Sequence, residues 1–392
     1  MTGLVDLELN ASQEHFEDLR HRIPLRSAWI EVDAGRLQRN FEIINADKPP
    51  QVRLLSVVKA EGYGHGALTV ARAALRARAV YLAVGSIEEG VSLREHGIDA
   101  PILILGQRRE AELPWCVRHD LTCAVADGPT VQALARDAAR AGKRVPVHLK
   151  LNTGMNRYGV RWTEALPLVE RILAEHSLEL EGVFSHFAMS DEADKSFALL
   201  QLERFQIVLA ELEARGVGVR YRHLCNSGGL LDLPQAHFDM VRLGLLPLGV
   251  YPSQVCRRLA GLEPVMTVKA RLVAIQEIGP GETVGYGLRY QAPSHRRIAV
   301  LPLGYGDGFP RVRNRGFVLV QGRRAPLVGG VAMDALTIDV TDIPEAKRWD
   351  EAVVMGRQGA EEISVHEIAQ LKNSVSYDVL TGWRTRLPRV CV

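Results

Sequence analysis

Between residue 50 and about residue 244, short apolar runs alternate with longer amphipathic stretches. The runs fall at 53–58, 80–84, 101–105, 121–125, 145–151, 180–186, 219–224 and 237–243. Several are continuously apolar and β-branched, the pattern of strands buried on both faces. Helix-like segments lie between most of them, at 66–77, 87–95, 129–141, 163–175 and, the longest, 195–215. Eight strands with crossover helices predict an α/β fold: an N-terminal (β/α)8 TIM-type barrel rather than an open doubly wound sheet. After about residue 262 the pattern changes. Runs at 265–278, 298–303, 317–320, 335–340 and 351–355 are β-rich and separated by turns such as Gly279-Pro280-Gly281, with one helix-like stretch at 364–371. Strands at that spacing without long helices predict a mainly antiparallel C-terminal β domain. The expected organisation is an N-terminal extension over 1–25, a barrel over 26–262 and a β domain over 263–392.

Composition narrows the function classes. Of 392 residues, 47% are hydrophobic and 24% charged, as in a soluble globular protein with a sizeable core. The 48 basic residues against 46 acidic ones create no overall field for nucleic acid or an anionic membrane. No apolar run approaches the roughly 20 residues of a membrane span. The first residues carry charges of both signs and no apolar signal core, so a cytoplasmic protein is expected. Five cysteines, Cys116, Cys123, Cys225, Cys256 and Cys391, are scattered with no C-x-x-C pair. Buried reduced thiols are expected of them, and no metal site.

One strand end carries chemistry. The stretch Val57-Val58-Lys59-Ala60-Glu61-Gly62-Tyr63-Gly64-His65-Gly66 puts a lysine where an apolar strand opens into a glycine-rich turn. Burying an ammonium is costly without a partner, and in a barrel this end faces the active site. A desolvated lysine there has a lowered pKa and attacks carbonyls to form Schiff bases. The competing reading is a snorkelling lysine before an ordinary turn. His65 and Glu61 read as exposed turn residues.

The stretch resembles the pyridoxal-phosphate lysine motif of the alanine racemase family. Further similar strings follow in order: Lys150-Leu-Asn-Thr-Gly-Met-Asn-Arg157, Ser185-His186-Phe187, Cys225-Asn226-Ser227, Met240-Val241-Arg242-Leu243-Gly244, Val284-Gly-Tyr286-Gly, Gly304-Tyr305-Gly-Asp-Gly308, Met333-Asp334 and Ser376-Tyr377. Each is weak alone; their joint order over residues 26–392 is specific. The resemblance implies pyridoxal 5'-phosphate as cofactor, a small amino acid as substrate, and a head-to-tail homodimer with shared active sites. It makes Lys59 the cofactor lysine and Tyr286 the opposing base. It assigns cofactor contacts to Tyr63, Arg157, His186, Asn226, Ser227, Arg242, Gly244, Leu245 and Tyr377. Substrate contacts go to Arg157, Tyr305, Met333 and Asp334, and Lys150 matches a lysine carbamylated in some members. Taken singly, Ser227 also reads as a helix N-cap, His186 as a core histidine, Lys150 as a strand-end lysine, and Tyr63 and Tyr377 as packed tyrosines.

Arg242 bears on the reaction type. An arginine cannot give up its proton, so it can only donate to the cofactor's pyridine nitrogen, which then stays unprotonated. That suits brief proton removal and return at Cα better than decarboxylation, for which a glutamate is expected. Racemisation also needs acid–base groups on both faces of Cα, which Lys59 alone cannot supply. The expected activity is L- and D-alanine interconversion, supplying D-alanine for peptidoglycan. The alternatives are a serine or broad-range racemase, a decarboxylase, and a non-catalytic pyridoxal-phosphate-binding barrel. The sequence departs from the family pattern at Asn156, Gly306 and Pro247-Leu248.

Overall fold

The computed structural model describes residues 26–392; the N-terminal extension expected over 1–25 lies outside them. The chain forms two compact units, Asp33–Val265 and Met266–Val392, the second including residues 26–32.

The first unit is built on eight parallel strands: β1 (Arg53–Val57), β2 (Tyr81–Val84), β3 (Ile102–Ile104), β4 (Thr122–Val125), β5 (Val145–Asn152), β6 (Leu178–Phe184), β7 (Tyr221–His223) and β8 (Met240–Leu243). They pair in sequence, and β8 pairs back onto β1. The β7–β8 seam is held by single bonds, Asp239 N–H to the Arg222 carbonyl and Arg242 N–H to that of Cys225. The barrel is therefore nearly closed. Its interior is lined by Leu55, Val57, Tyr81, Ala83, Leu103, Ala124, Phe184, Tyr221 and Met240. Crossover helices at Ala67–Arg76, Ile87–Glu95, Gly128–Arg140, Ala165–Ala174 and Ser196–Ala214 cover the outside. Ser86 and Asp127 start two of them by accepting from the N–H of Glu89 and Thr130, leaving fewer orphan donors at the helix ends.

The second unit holds a six-strand path ordered Arg323–Pro326, Phe317–Val320, Glu351–Gln358, Met266–Arg271, Ala28–Val32 and Arg389–Cys391. All pairings in it are antiparallel except Ala28–Val32 with Arg389–Cys391. A second sheet joins Ala274–Ile278, Arg296–Leu301 and Leu336–Asp339.

Four expectations need correction. Residues 28–32, expected in the barrel, run in the sheet of the second unit because they pair with Met266–Arg271. The run 265–278 is two strands broken at Leu272 and Val273, each in a different sheet. His65 is buried, not exposed, with Nδ1 2.9 Å from the Tyr63 carbonyl. Cys391 is exposed, while the other four cysteines are buried and unpaired.

Candidate active site

Lys59 directly follows β1 and opens a turn of unusual hand. Ala60, Glu61, Gly62 and Tyr63 all lie at φ between 51° and 58°, a left-handed helical turn. Non-glycine residues resist this by about 1–2 kcal/mol each, so something must hold it. Glu89 does part of that. One carboxylate oxygen accepts the Ala60 N–H at 2.6 Å; the other accepts the N–H groups of Gly85 and Ser86 at 2.7 and 3.1 Å. The turn that carries Lys59 is thereby tied to the loop after β2. Burial, then the charge of Arg157, pushes the Lys59 ammonium below its ordinary pKa, with Glu89 opposing.

Arg242 lies in β8, its side chain in the barrel interior, and the residue is only 4% exposed. NH1 donates to the His223 carbonyl and Nδ1 at 3.0 and 3.2 Å. NH2 donates to the Ser185 carbonyl at 2.7 Å, to His186 Nδ1 at 2.9 Å and to the Leu224 carbonyl at 3.1 Å. Among the described residues Nε–H makes no hydrogen bond, and no carboxylate contacts the guanidinium. Burial pushes its pKa down to about 10, which leaves it charged at neutral pH. Because that charge can only donate, His186 Nδ1 must accept, and the imidazole is neutral with its proton on Nε2. Burial and the charge of Arg242 hold His186 well below its usual pKa.

Lys150, in β5, is buried with its Nζ 4.3 Å from the Phe184 ring centroid. Burial, Arg242 and Arg157 push its pKa well down. The Arg157 side chain is exposed. Asn156 sits at φ 57°, a conformation asparagine tolerates, and exchanges bonds with Asn152. Nearby, the Tyr63 hydroxyl occupies the space a side chain on Gly244 would need: a Cβ there would meet Oη at 2.5 Å. Burial raises this phenol's pKa to about 12. Ser227 Oγ accepts the Leu246 N–H at 3.4 Å, and Asn226 caps the short helix Ser227–Asp232 through Gly229 N–H. Leu245 is buried beside them. Leu248 is fully buried, and the following Gly249 has φ 73° with the Glu263 carbonyl where a Cβ would sit. The departure at Pro247-Leu248 thus falls at packed core positions.

The remaining expected site residues belong to the second unit. Tyr305 N–H and Gly306 N–H bond the carbonyls of Ala332 and Met333 at 3.0 and 2.8 Å, fastening the 304–308 turn to the Met333 segment. Asp334 pairs with Arg386, which also reaches the buried Asp307. Tyr305 borders a cavity of about 550 Å³ with Phe309, Arg311, Lys372 and Arg384. Tyr286 stands in the turn between Thr283–Val284 and Tyr290–Gln291 and is 79% exposed. Tyr377 is exposed on the helix Ser376–Gly382.

The sequence reading missed Glu89, His148, Glu181 and His223. The available signal was polar residues interrupting apolar strands, since His148, Glu181 and His223 all lie within β5, β6 and β7. Among the described residues no group of three or more His, Cys, Asp and Glu could hold a metal ion, and no helix is long and apolar enough to cross a membrane.

The residues present fit a pyridoxal group. A lysine of lowered pKa closes one strand, Arg242 Nε–H and His186 Nε2–H make no hydrogen bond among the described residues, and a hydroxyl and glycine backbone meet at Tyr63 and Gly244. The family model for the alanine racemase N-terminal domain matches residues 32–252, and that for the C-terminal domain matches 265–391. An alanine racemase of Symbiobacterium thermophilum is 42% identical over 93% of this chain and 97% of its own. One of Carboxydothermus hydrogenoformans is 42% identical over 94% and 100%. Among solved structures, alanine racemase from D-cycloserine-producing Streptomyces lavendulae superposes with a TM-score of 0.89 at 34% identity, covering 94% of this chain and 98% of that one. The Bacillus anthracis enzyme with bound L-Ala-P gives 0.88 at 31% identity, covering 94% and 96%. With both of its units matched and relatives this similar along nearly its whole length, the chain belongs to the alanine racemase family.

Proposed function

We propose that this protein is a pyridoxal 5'-phosphate-dependent racemase that interconverts L- and D-alanine, works in the cytoplasm and supplies D-alanine for peptidoglycan. The observation that carries this reading is the pairing, in one barrel, of a strand-end lysine of lowered pKa with a buried arginine whose Nε–H makes no hydrogen bond among the described residues. Lys59 would hold the cofactor through Nζ, Arg242 would donate to its pyridine nitrogen, and His186 would lie beside the ring. Tyr63, Ser227, Tyr377 and the backbone at Gly244 and Leu245 would receive the phosphate, with Asn226 among the residues that contact the cofactor, and Arg157 would reach the phenolic oxygen. When bound, the cofactor supplies the electron-withdrawing ring that acidifies the substrate Cα–H.

The chain's own groups then do the proton work. Lys59 Nζ takes or returns the proton on one face of Cα, and Tyr286 Oη does so on the other. Arg157 and the Met333 backbone hold the substrate carboxylate, with Tyr305 and Asp334 at the mouth. Tyr286 comes from the second chain of a head-to-tail homodimer, as the family resemblance implies. Lys150 carries a carbamate: its burial favours the neutral amine, which adds CO2 and releases a proton. The new negative charge would face Arg157 and Arg242 instead of repelling them. Labelled bicarbonate should give a carbamate carbon resonance that Lys150→Ala abolishes; an unchanged spectrum refutes the modification.

Incubation of single amino acids in deuterated water, with chiral analysis, tests the activity. Alanine should exchange its Cα proton and racemise. Exchange confined to serine or spread over many side chains would replace the substrate assignment; loss of CO2 or no exchange would overturn the racemase reading.

A further inference from the structure

Among the described residues no carboxylate lies beside the buried charge of Arg242, yet a carboxylate ends the hydrogen-bond chain that leaves it. Arg242 NH1 lies 3.2 Å from His223 Nδ1, His223 Nε2 lies 2.9 Å from His148 Nδ1, and His148 Nε2 lies 3.2 Å from Glu181 Oε2. The two ends fix the direction. A guanidinium only donates, so His223 Nδ1 accepts and its proton sits on Nε2. That proton is given to His148 Nδ1, which leaves the proton of His148 on Nε2, facing an acceptor-only carboxylate. Both imidazoles are thereby held as neutral Nε2–H tautomers. Burial keeps both below their usual pKa.

The fold makes a special place for the acceptor. In the β5–β6 ladder Val147 pairs with Leu180 and His148 with Gly182, so Glu181 is the extra residue of a bulge. Bulges re-aim side chains, and this one lets Glu181 meet barrel-interior groups that strict alternation along β6 would deny it. Tyr81 Oη donates to Glu181 Oε2 at 2.6 Å and lies 2.8 Å from Thr122 Oγ1. Arg220 NH1 lies 3.6 Å from Oε1. At Gly182 a Cβ would press on the His148 ring at 2.8 Å, so only glycine leaves the imidazole its place. The stacking of His223 on Phe184, with centroids 4.8 Å apart, holds the second ring flat.

We propose that Glu181 is a remote positioning residue for the racemase reaction: through His148 and His223 it fixes the tautomer that Arg242 meets, and so the orientation of the guanidinium toward the pyridine nitrogen. The inference rests on the assignment of Arg242 to that nitrogen. Without the acceptor, His148 is free to move its proton to Nδ1. His223 would then have to accept at Nε2 and carry its proton on Nδ1, directly against an Arg242 N–H. The guanidinium must turn away.

The test is 15N NMR of histidine-labelled protein, with and without cofactor, together with kinetics. Wild-type His148 and His223 should both show a protonated Nε2 and a bare Nδ1. Glu181→Leu should mix the tautomers of both rings, shift the absorbance of bound cofactor, and lower kcat by about tenfold, the rate equivalent of about 1.4 kcal/mol, with KM for the amino acid nearly unchanged. Glu181→Gln keeps an acceptor oxygen and should restore the tautomers and bring kcat within about twofold of wild type. Should Glu181→Leu not fold, His148→Phe cuts the same chain one step nearer Arg242 and must alter the His223 tautomer and kcat. Unchanged tautomers and kcat in the chain-breaking variant, or a glutamine variant as slow as the leucine one, would overturn the proposal. Failure of the underlying reading has a different signature: wild type itself would lack cofactor absorbance and racemisation while still showing its two tautomers.

Discussion

At the scale of single residues, Lys59 is tuned by opposing neighbours. Burial and Arg157 lower its pKa, and Glu89 raises it while also accepting three backbone N–H groups. Glu89→Gln separates these effects. The amide has one acceptor oxygen rather than two, so one side of the contact faces backbone donors with N–H groups of its own. Loss of a part-buried acceptor of this kind costs about 1–3 kcal/mol, which should appear as a lower urea midpoint. The amine should respond the other way. With the negative charge gone, its pKa falls further, and more of it is unprotonated at a given pH. Reductive trapping of an aldehyde by the cofactor-free protein should therefore show its rate midpoint at lower pH in the variant than in wild type. A midpoint that stays or rises would disprove the role given to Glu89. The lysine itself was legible because it breaks an apolar run. The left-handed turn behind it was not, since Ala60 and Glu61 have no preference for positive φ and are held there by a partner about 30 residues away.

Among the elements, the barrel strands announced themselves because both faces are buried and their side chains are apolar without alternation. The strand Ala28–Val32 and the helix Ala34–Asp47 went unread. The first is short, and its antiparallel partner Met266–Arg271 lies more than 200 positions away, a pairing no local pattern encodes. The polar interior of β5, β6 and β7 showed only as polar residues interrupting apolar runs; the meeting of Glu181 with His148 was hidden, because a bulge rather than a periodicity brings them together. That interior predicts a pH dependence. His148, His186 and His223 are held below their ordinary pKa of 6.5 mainly by burial, so the folded state leaves them neutral where the unfolded chain is protonated. Unfolding then takes up protons, and stability falls as pH drops through about 6.5, by at most about 1.4 kcal/mol per pH unit for each histidine. His237 adds in the same sense. Carboxylates with lowered pKa, such as Asp47 and Glu181, lose their contribution only at more acidic pH, toward and below their ordinary range. Urea titrations of the cofactor-free protein should show the midpoint declining between about pH 7 and about pH 5.5, before carboxylates begin to protonate. A flat midpoint across that interval would mean the three rings are not neutral in the folded state.

For the whole molecule, the two bases assigned to the reaction lie in different units. Lys59 follows the first barrel strand, whereas Tyr286 caps a small hairpin of the second unit and leaves 79% of its surface exposed. An aromatic so exposed at a hairpin tip packs against little of its own unit, which suits a group lent to a neighbour. If each site of a head-to-tail dimer takes Lys59 from one chain and Tyr286 from the other, neither Lys59→Ala nor Tyr286→Phe alone leaves any site with both bases. Tyr286→Phe should keep fold and cofactor and lose most racemisation, because only the hydroxyl proposed for the second face is gone. Mixing the two inactive proteins changes the outcome. A heterodimer has one site lacking both bases and one site that is complete. With random reassortment of equal amounts, half the dimers are mixed and each holds one intact site of two, so activity should recover to about a quarter of wild type. Native mass spectrometry of differently tagged chains reports whether exchange has occurred. Exchange without recovered activity would show that each chain uses its own tyrosine, or none, and the shared two-base arrangement would have to be abandoned.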